Sequence, residues 1–241
     1  MSFNLVAPFY RTLETIVFGN ALQRARTALL PQLAHSRRAL LAGEGNGRCL
    51  AELRRIHPTL EIDCVDASAE MLRLARAVIP SAADGSRNTV ILSEVEGSRR
   101  ESLKVTSPGS LDFARDDVRF IHADVREFQT ETTYDALVTN FLLDCFDEHE
   151  LARVIANLAD AAEPRARWLI SEFTLPRAGF ARLFARVLIA IMYAFFRVTT
   201  RISAKHLIDY RPLLAAHGFA LIEQQRFFFG MVTAECWERT R

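Results

Sequence analysis

From residue 38 onward, short apolar runs alternate with stretches of helical periodicity, and this alternation restricts the fold more than any other feature of the chain. "RRALLAG" reads as a strand, residues 47 to 56 as a helix, "LEIDCVD" as a second strand, and "SAEMLRLARAV" as a helix with Ser68 as its N-cap. "VRFIHAD" (118 to 124), "YDALVTN" (134 to 140) and "ARWLISEF" (166 to 173) supply three more strands, the last two separated by a helix over 147 to 162. Strands that alternate with helices demand a mostly parallel sheet covered on both faces. Residues 4 to 34 read as helical with a break at Gly19-Asn20, and "GFALIEQQRFFFGMVTAECWER" reads as two strands around Gly230. The expectation is an α/β, doubly wound, mostly parallel seven-stranded sheet ending in an antiparallel hairpin at 218–239, within a single domain 1–241.

Charge and cysteine content narrow the setting. Thirty Lys and Arg face 29 Asp and Glu, a net charge of +1, so no global field recruits nucleic acid and none is expected as a partner. Cys49, Cys64, Cys145 and Cys236 are scattered, without a C-x-x-C pair, and read as free thiols of a reducing cytoplasm; no metal site is expected. "MSFNLVAPFYRTLE" lacks the basic start and apolar core of a secretory signal. Residues 81–117, rich in Ser, Gly and charge, read as an inserted flexible loop on the amino side of the sheet. Ligands in open α/β sheets sit at the carboxyl side, so this loop is expected to carry no chemistry; a basic recognition loop using Arg99 and Arg100 is the alternative.

The carboxyl end of the first strand is where ligand chemistry is expected. "LLAGEGNGRCL" sets Gly43, Gly45 and Gly47 two apart between strand and helix, where backbone without Cβ can approach a ligand and a helix N-terminus faces it. A dinucleotide fingerprint counted from Gly43 needs a third glycine at 48, and that position is Arg48. Asp66 ends the second strand, 23 positions after Gly43, where a carboxylate can accept from both hydroxyls of a ribose. Asp124 ends the third and can meet the exocyclic amine of adenine, or cap a turn; Met71 can pack on the adenine face, or belong to the core.

Taken in order, "LLAGEGNGRCL", "CVDASAEML", "FIHADVREF", "YDALVTNFLLDCF" and "RWLISEF" resemble the motif series of class I S-adenosylmethionine-dependent methyltransferases over residues 36–175. "VAPFY", "LLAAHGF" and "FFFGMV" are similar to the small-molecule members related to ubiquinone and menaquinone C-methyltransferases. The resemblance implies a Rossmann-like methyltransferase fold with S-adenosylmethionine as cofactor. It puts Gly43, Gly45 and Gly47 around the methionyl part, Asp66 on the ribose, and Ala67 and Met71 beside the adenine. Asp124 and Val125 would lie at the adenine edge, and Asn140 and Phe141 would flank the methyl-donor end. Many members carry an acid two residues before the first glycine, where this chain has Leu41; Glu44 either meets the cofactor's ammonium group instead or points to solvent.

Methyl transfer depends chiefly on alignment, and a base is needed only where the acceptor must shed a proton. Asp144 is the best-placed candidate by topology, with a helix-start cap as its other reading; Tyr10 and His206 are further catalytic candidates. Residues 178–215 are read as a helical roof which, with the cap 4–34, closes over a small apolar or aromatic acceptor. Within it, "GFARLFARVLIAIMYAFFRVTTR" (179–201) is too short and too charged to span a bilayer; its basic edge admits peripheral membrane contact. A non-catalytic binding protein on the same fold, or an NAD-dependent oxidoreductase, are the alternatives to a methyltransferase.

Overall fold

The computed structural model describes residues 18–78, 90–92, 117–176 and 207–240. The elements are α1 (Ala21–Ala28), β1 (Arg38–Ala42), α2 (Arg48–Ile56), β2 (Glu61–Asp66), α3 (Ala69–Ala77), β3 (Val90–Leu92) and β4 (Val118–His122). They continue with β5 (Tyr134–Asn140), α4 (Glu148–Asp160), β6 (Ala162–Phe173), α5 (Arg211–Ala216), β7 (Phe219–Phe227) and β8 (Val232–Arg239). The eight strands join one sheet in the order β3-β4-β2-β1-β5-β6-β8-β7. The first six strands in that order are parallel; β8 runs antiparallel between β6 and β7. Seven of these are the expected strands. The eighth, β3, arises inside the segment 81–117 and pairs parallel with β4 at the edge, Ile91 opposite Ile121.

The central strands are apolar on both faces because helices cover both. Leu41 faces a core with Leu22 and Ala25 of α1, Leu50 and Leu53 of α2 and Leu72 of α3. Its neighbour Leu40 faces the opposite core, with Val154, Ile155 and Leu158 of α4 and Leu214 of α5, as the two-residue period of a strand requires. Ser68 caps α3 as expected, its Oγ accepting from the Met71 amide at 3.3 Å. The cap of α4 is Asp147, whose Oδ1 accepts from the Glu150 amide at 2.9 Å, so Asp144 does not start that helix. That helix ends at Asp160, and β6 begins at Ala162, earlier than the apolar run starting at 166 suggests, with Arg165 at φ 64°.

Two buried carboxylates of the sheet are fully engaged by donors. Asp63 in β2 is 3% exposed and receives the Arg119 guanidinium and the Tyr134 hydroxyl, the latter at 2.6 Å. The hairpin is fastened to α5 through Glu235, fully buried, whose carboxylate accepts from Tyr210, Arg211, Gln224 and Trp237. Leu207 to Ala216 thus lie against the sheet, while Tyr10, His206 and the stretch 179–201 fall outside the described residues. None of the described helices is long and apolar enough to cross a membrane.

Gly47 decides how α2 begins. It is the left-handed N-cap of that helix at φ 81°, and a Cβ there would stand 2.6 Å from the Ala75 Cα and 2.5 Å from Val78 Cγ2. The α2 N-terminus therefore abuts the last turn of α3 backbone to backbone. Replacing Gly47 by Ala combines a left-handed alanine with overpacking, and is expected to cost about 2–4 kcal/mol of stability. Urea denaturation midpoints of the two proteins check this.

Candidate functional site

Strand order reverses between β1 and β5, because β2 lies on one side of β1 and β5 on the other. The loops leaving these strands diverge and open a crevice at the carboxyl ends. Its walls bring together ten of the eleven residues singled out for the cofactor: Gly43, Glu44 and Gly45 after β1, Asp66, Ala67 and Met71 after β2, Asp124 and Val125 after β4, and Asn140 and Phe141 at β5. Gly47 is not on the wall; it serves the helix packing described above. Gly43 has φ 67°, a conformation that strains any L side chain, and a Cβ there would also have to displace the Leu142 side chain, whose Cδ1 would lie 2.6 Å away. Gly45, at φ 69°, has open space where a Cβ would point, so its backbone can be approached from the crevice.

Two carboxylates dominate the electrostatics. Asp66 Oδ1 accepts from the Ser68 amide at 2.8 Å and Oδ2 from the Gly45 amide at 3.1 Å. Each oxygen keeps acceptor capacity for a further donor. Burial raises the Asp66 pKa, against the pull of those two amides and of His122, whose Nε2 lies 3.1 Å from the Ala67 carbonyl oxygen. Glu44 turns inward, and its Oε1 accepts from the amides of Cys49 (2.8 Å) and Leu50 (2.9 Å). The positive end of α2 is thus neutralised by the chain's own carboxylate. Burial lifts the Glu44 pKa to about 7, with the two amides and the Arg26 charge opposing.

Asp124 is engaged within its own turn. Arg126 donates to it from its backbone amide at 3.0 Å and from its guanidinium, and also reaches Glu150 at 2.7 Å. Burial disfavours the Asp124 charge, but Arg126 outweighs it and holds the pKa below the ordinary carboxylate value. Met71, 8% exposed, and Val125, 5% exposed, give the crevice an apolar floor on that side. Both are buried and line the crevice, and Val125 also belongs to the core on the α4 side of the sheet.

Sequence reading missed two groups. Arg26 reaches the crevice from α1, with its guanidinium 4.9 Å above the Phe141 ring centroid. An amphipathic helix pattern marks its buried stripe, not which flanking arginine bends over the sheet edge. Glu172, near the end of β6, is 1% exposed, and its Oε1 accepts from the amides of Leu142 (3.0 Å) and Leu143 (2.7 Å). That grip holds the turn after β5, where Phe141 adopts φ 53° and donates its amide to the Ser171 carbonyl at 2.7 Å. A non-glycine residue in the left-handed region stores strain of about 1–3 kcal/mol, which surrounding bonds must hold. Asp144 follows in a short 3-10 turn, Leu143–Cys145, with Cys145 on the crevice wall.

No family model matches this chain, and no curated protein does either. Solved structures do. Mitomycin 7-O-methyltransferase MmcR aligns over 99% of this chain and 61% of its own, at 15% identity and a TM-score of 0.64. The S-adenosylmethionine-dependent methyltransferase SibL, in its apo form, aligns over 99% of this chain and 60% of its own, at 20% identity and 0.64. The 1,6-didemethyltoxoflavin-N1-methyltransferase of Burkholderia thailandensis, solved with 1,6-didemethyltoxoflavin and S-adenosylhomocysteine, aligns over 99% and 86%, at 17% identity and 0.60. The chain spans about three fifths of the length of the first two. At these identities the likeness establishes architecture: the chain has the Rossmann-like fold found in S-adenosylmethionine-dependent methyltransferases.

Proposed function

We propose that the protein is a class I methyltransferase that takes S-adenosylmethionine and passes its methyl group to a small acceptor by in-line displacement. The observation that carries this is the Glu44 carboxylate on the α2 amides. A dinucleotide enzyme leaves that helix end open for a pyrophosphate. Here a pyrophosphate would meet a carboxylate, so the oxidoreductase reading is disfavoured by charge. A cationic ligand end is favoured instead, and S-adenosylmethionine carries an ammonium and a sulfonium.

The chain's own groups fit the rest of that ligand. Asp66, with acceptor capacity left on both oxygens and oriented by two amides, suits a ribose diol. Gly45 leaves room for a methionyl chain to lie against backbone, and Arg26 offers a cation to its carboxylate. Met71 and Val125 suit the adenine faces; Asp124 suits the adenine amine once it shares its carboxylate with Arg126. Bound there, the cofactor supplies an electrophilic methyl group. The protein's part is to hold donor and acceptor in line and to exclude water, which accounts for much of the rate in such a displacement. Asn140 and Phe141 line the crevice at the strained turn, and on this reading they frame the methyl end. The narrower likeness to ubiquinone and menaquinone C-methyltransferases adds an apolar or aromatic acceptor to this reading, with Tyr10, His206 and the roof 178–215 as its cover. Peripheral membrane contact through 179–201 belongs to the same reading.

Calorimetric titration tests it. S-adenosylmethionine and S-adenosylhomocysteine are expected to bind, NADH not, and Asp66→Ala is expected to lose about 1.5–3 kcal/mol of binding with its charged hydrogen bonds. Absence of binding to the wild type overturns the reading. Glu44 adds a pH dependence. If its ionised form pairs with the ammonium, affinity falls as pH drops through about 7, where the free carboxylate takes up a proton. Glu44→Gln is expected to flatten that dependence, as read from dissociation constants measured on both sides of neutrality.

A further inference from the structure

The turn between β7 and β8 carries an aromatic surface outside the crevice. Val232, at the start of β8, pairs with Phe173 at the end of β6, and the Thr174 amide donates to the Met231 carbonyl at 2.9 Å. The turn therefore stands at the carboxyl edge of the sheet, the edge that carries the crevice. In it Phe228, Phe229 and Gly230 all lie in the left-handed region, at φ 46°, 55° and 81°. Glycine adopts that conformation freely, phenylalanine only at a cost in free energy. Phe228 is anchored: its ring meets Phe18 edge-on at 5.2 Å, and Phe18 packs on Phe173 at 5.4 Å. The Phe229 ring stands 5.6 Å from that of Phe228 and is 79% exposed, the most open large apolar side chain among the described residues.

Cations flank this ring on both faces of the hairpin. Residues 226 and 227 face opposite sides of β7, as successive strand residues must. On one side the exposed Arg24 guanidinium of α1 lies 5.7 Å over the Phe227 ring. On the other, exposed Arg226 donates to the neutral Gln224 Oε1 at 3.2 Å. Among the described residues neither arginine pairs with a carboxylate. Glu223, the nearest acid along β7, is engaged by Gln32 at 2.6 Å and Gln225 at 2.9 Å. We propose that the tip of the hairpin docks the protein on anionic lipid membranes, with Phe229 inserted at headgroup level and Arg24 and Arg226 facing lipid phosphates. The contact stands on other residues than 179–201 and is independent of methyl transfer. It brings the carboxyl edge of the sheet, and the crevice with it, to the lipid.

Shape and area favour a lipid surface over a protein. A stable protein interface covers about 800 Å² on each partner, and one projecting ring between two arginines falls well short of that. A bilayer needs no matching pocket: its interface accepts an aromatic side chain, and anionic headgroups attract the cations. A second copy of the chain is not served by the β7 edge either. A bulge between Leu221 and Glu223 breaks the register there, a device that spoils an edge for pairing with another strand. Ile222, at that bulge, is exposed too, but it precedes Phe227 by five residues, about 16 Å along the strand and away from the tip. One ring and two cations give a weak, reversible attachment that salt screens.

Co-sedimentation of the full chain with vesicles of phosphatidylglycerol and phosphatidylcholine, set against vesicles of phosphatidylcholine alone, tests this. The wild type is expected to bind the anionic vesicles, to bind the neutral ones about tenfold more weakly, and to be released as salt rises. Phe229→Asn, which suits a left-handed turn, is expected to lower the partition coefficient about tenfold. Arg24→Gln and Arg226→Gln are each expected to lower it about fivefold on the anionic vesicles only. Ile222→Ser is expected to bind as the wild type does. Trp168 and Trp237, the two tryptophans of the chain, are buried, so Phe229→Trp reports on the tip; its emission is expected to shift to shorter wavelength with anionic vesicles. Failure of the wild type to bind, undiminished binding by Phe229→Asn, an equal loss in Ile222→Ser, or an unshifted Phe229→Trp overturns the proposal. Self-association of the wild type that Phe229→Asn abolishes would seat a second copy on the tip and overturn it as well. Titration with S-adenosylmethionine decides the methyltransferase reading separately, so the two failures are told apart.

Discussion

The placement of every group in the crevice depends on β1 being paired along both edges, with β2 on one side and β5 on the other. Leu41 stands opposite Cys64 and Val138, and β1 is buried on both faces after its first residue. A strand so enclosed has one exit, and the chain leaving it must turn sharply between two loops that go opposite ways. Gly43 makes that turn under Leu142, and Gly47 lets α2 start against α3. Between them, Glu44 and Gly45 face the crevice, and Asp66 at the end of the paired strand reaches the Gly45 amide. The site follows from the register of the central strands rather than from any separate element built to hold it.

Its electrostatic character follows from what occupies the helix end. Open α/β sheets present a helix N-terminus to the crevice, and that end attracts anions. Here a glutamate of the turn itself has taken the position, accepting two amides, so the region the glycines clear is lined by carboxylates with Arg26 alongside. On the proposed reading, this single residue of the first turn is what suits the crevice to a cationic ligand end rather than an anionic one. The far side of the crevice is organised by a second acid, Glu172, which holds the turn carrying the strained Phe141 and stands beside Asp144. In both cases a buried carboxyl binds consecutive backbone amides, and in both burial raises its pKa.

Much of this was legible in the sequence because periodicity and turn chemistry are local. Strand and helix runs, the cap at Ser68, the break at Gly19-Asn20 and the hairpin around Gly230 each depend on a few neighbouring residues, and among the described residues they stand where the pattern puts them except for the early start of β6 at Ala162. Ten of the eleven residues singled out from the sequence line the crevice for a related reason: the carboxyl end of a strand is a position along the chain as well as in space. The edge strand Val90–Leu92 was hidden because three residues give no period to detect. Gly47 looked like its two companions, yet its contacts are with α3, nearly thirty residues away.

The sequence by itself determined the order of strands and helices, the two-sided burial of the sheet and the residues at its carboxyl edge, since these follow from apolar spacing and from glycines at a single turn. Tertiary structure alone decided what those residues meet. Whether Glu44 faces solvent or amides, whether Asp144 caps a helix or lies beside Glu172, and whether Arg26 points outward or over Phe141 are settled by contacts between segments far apart in the chain. Hydrogen bonds and desolvation depend on distances of a few ångströms, and no one-dimensional pattern encodes such distances between residues that only folding brings together.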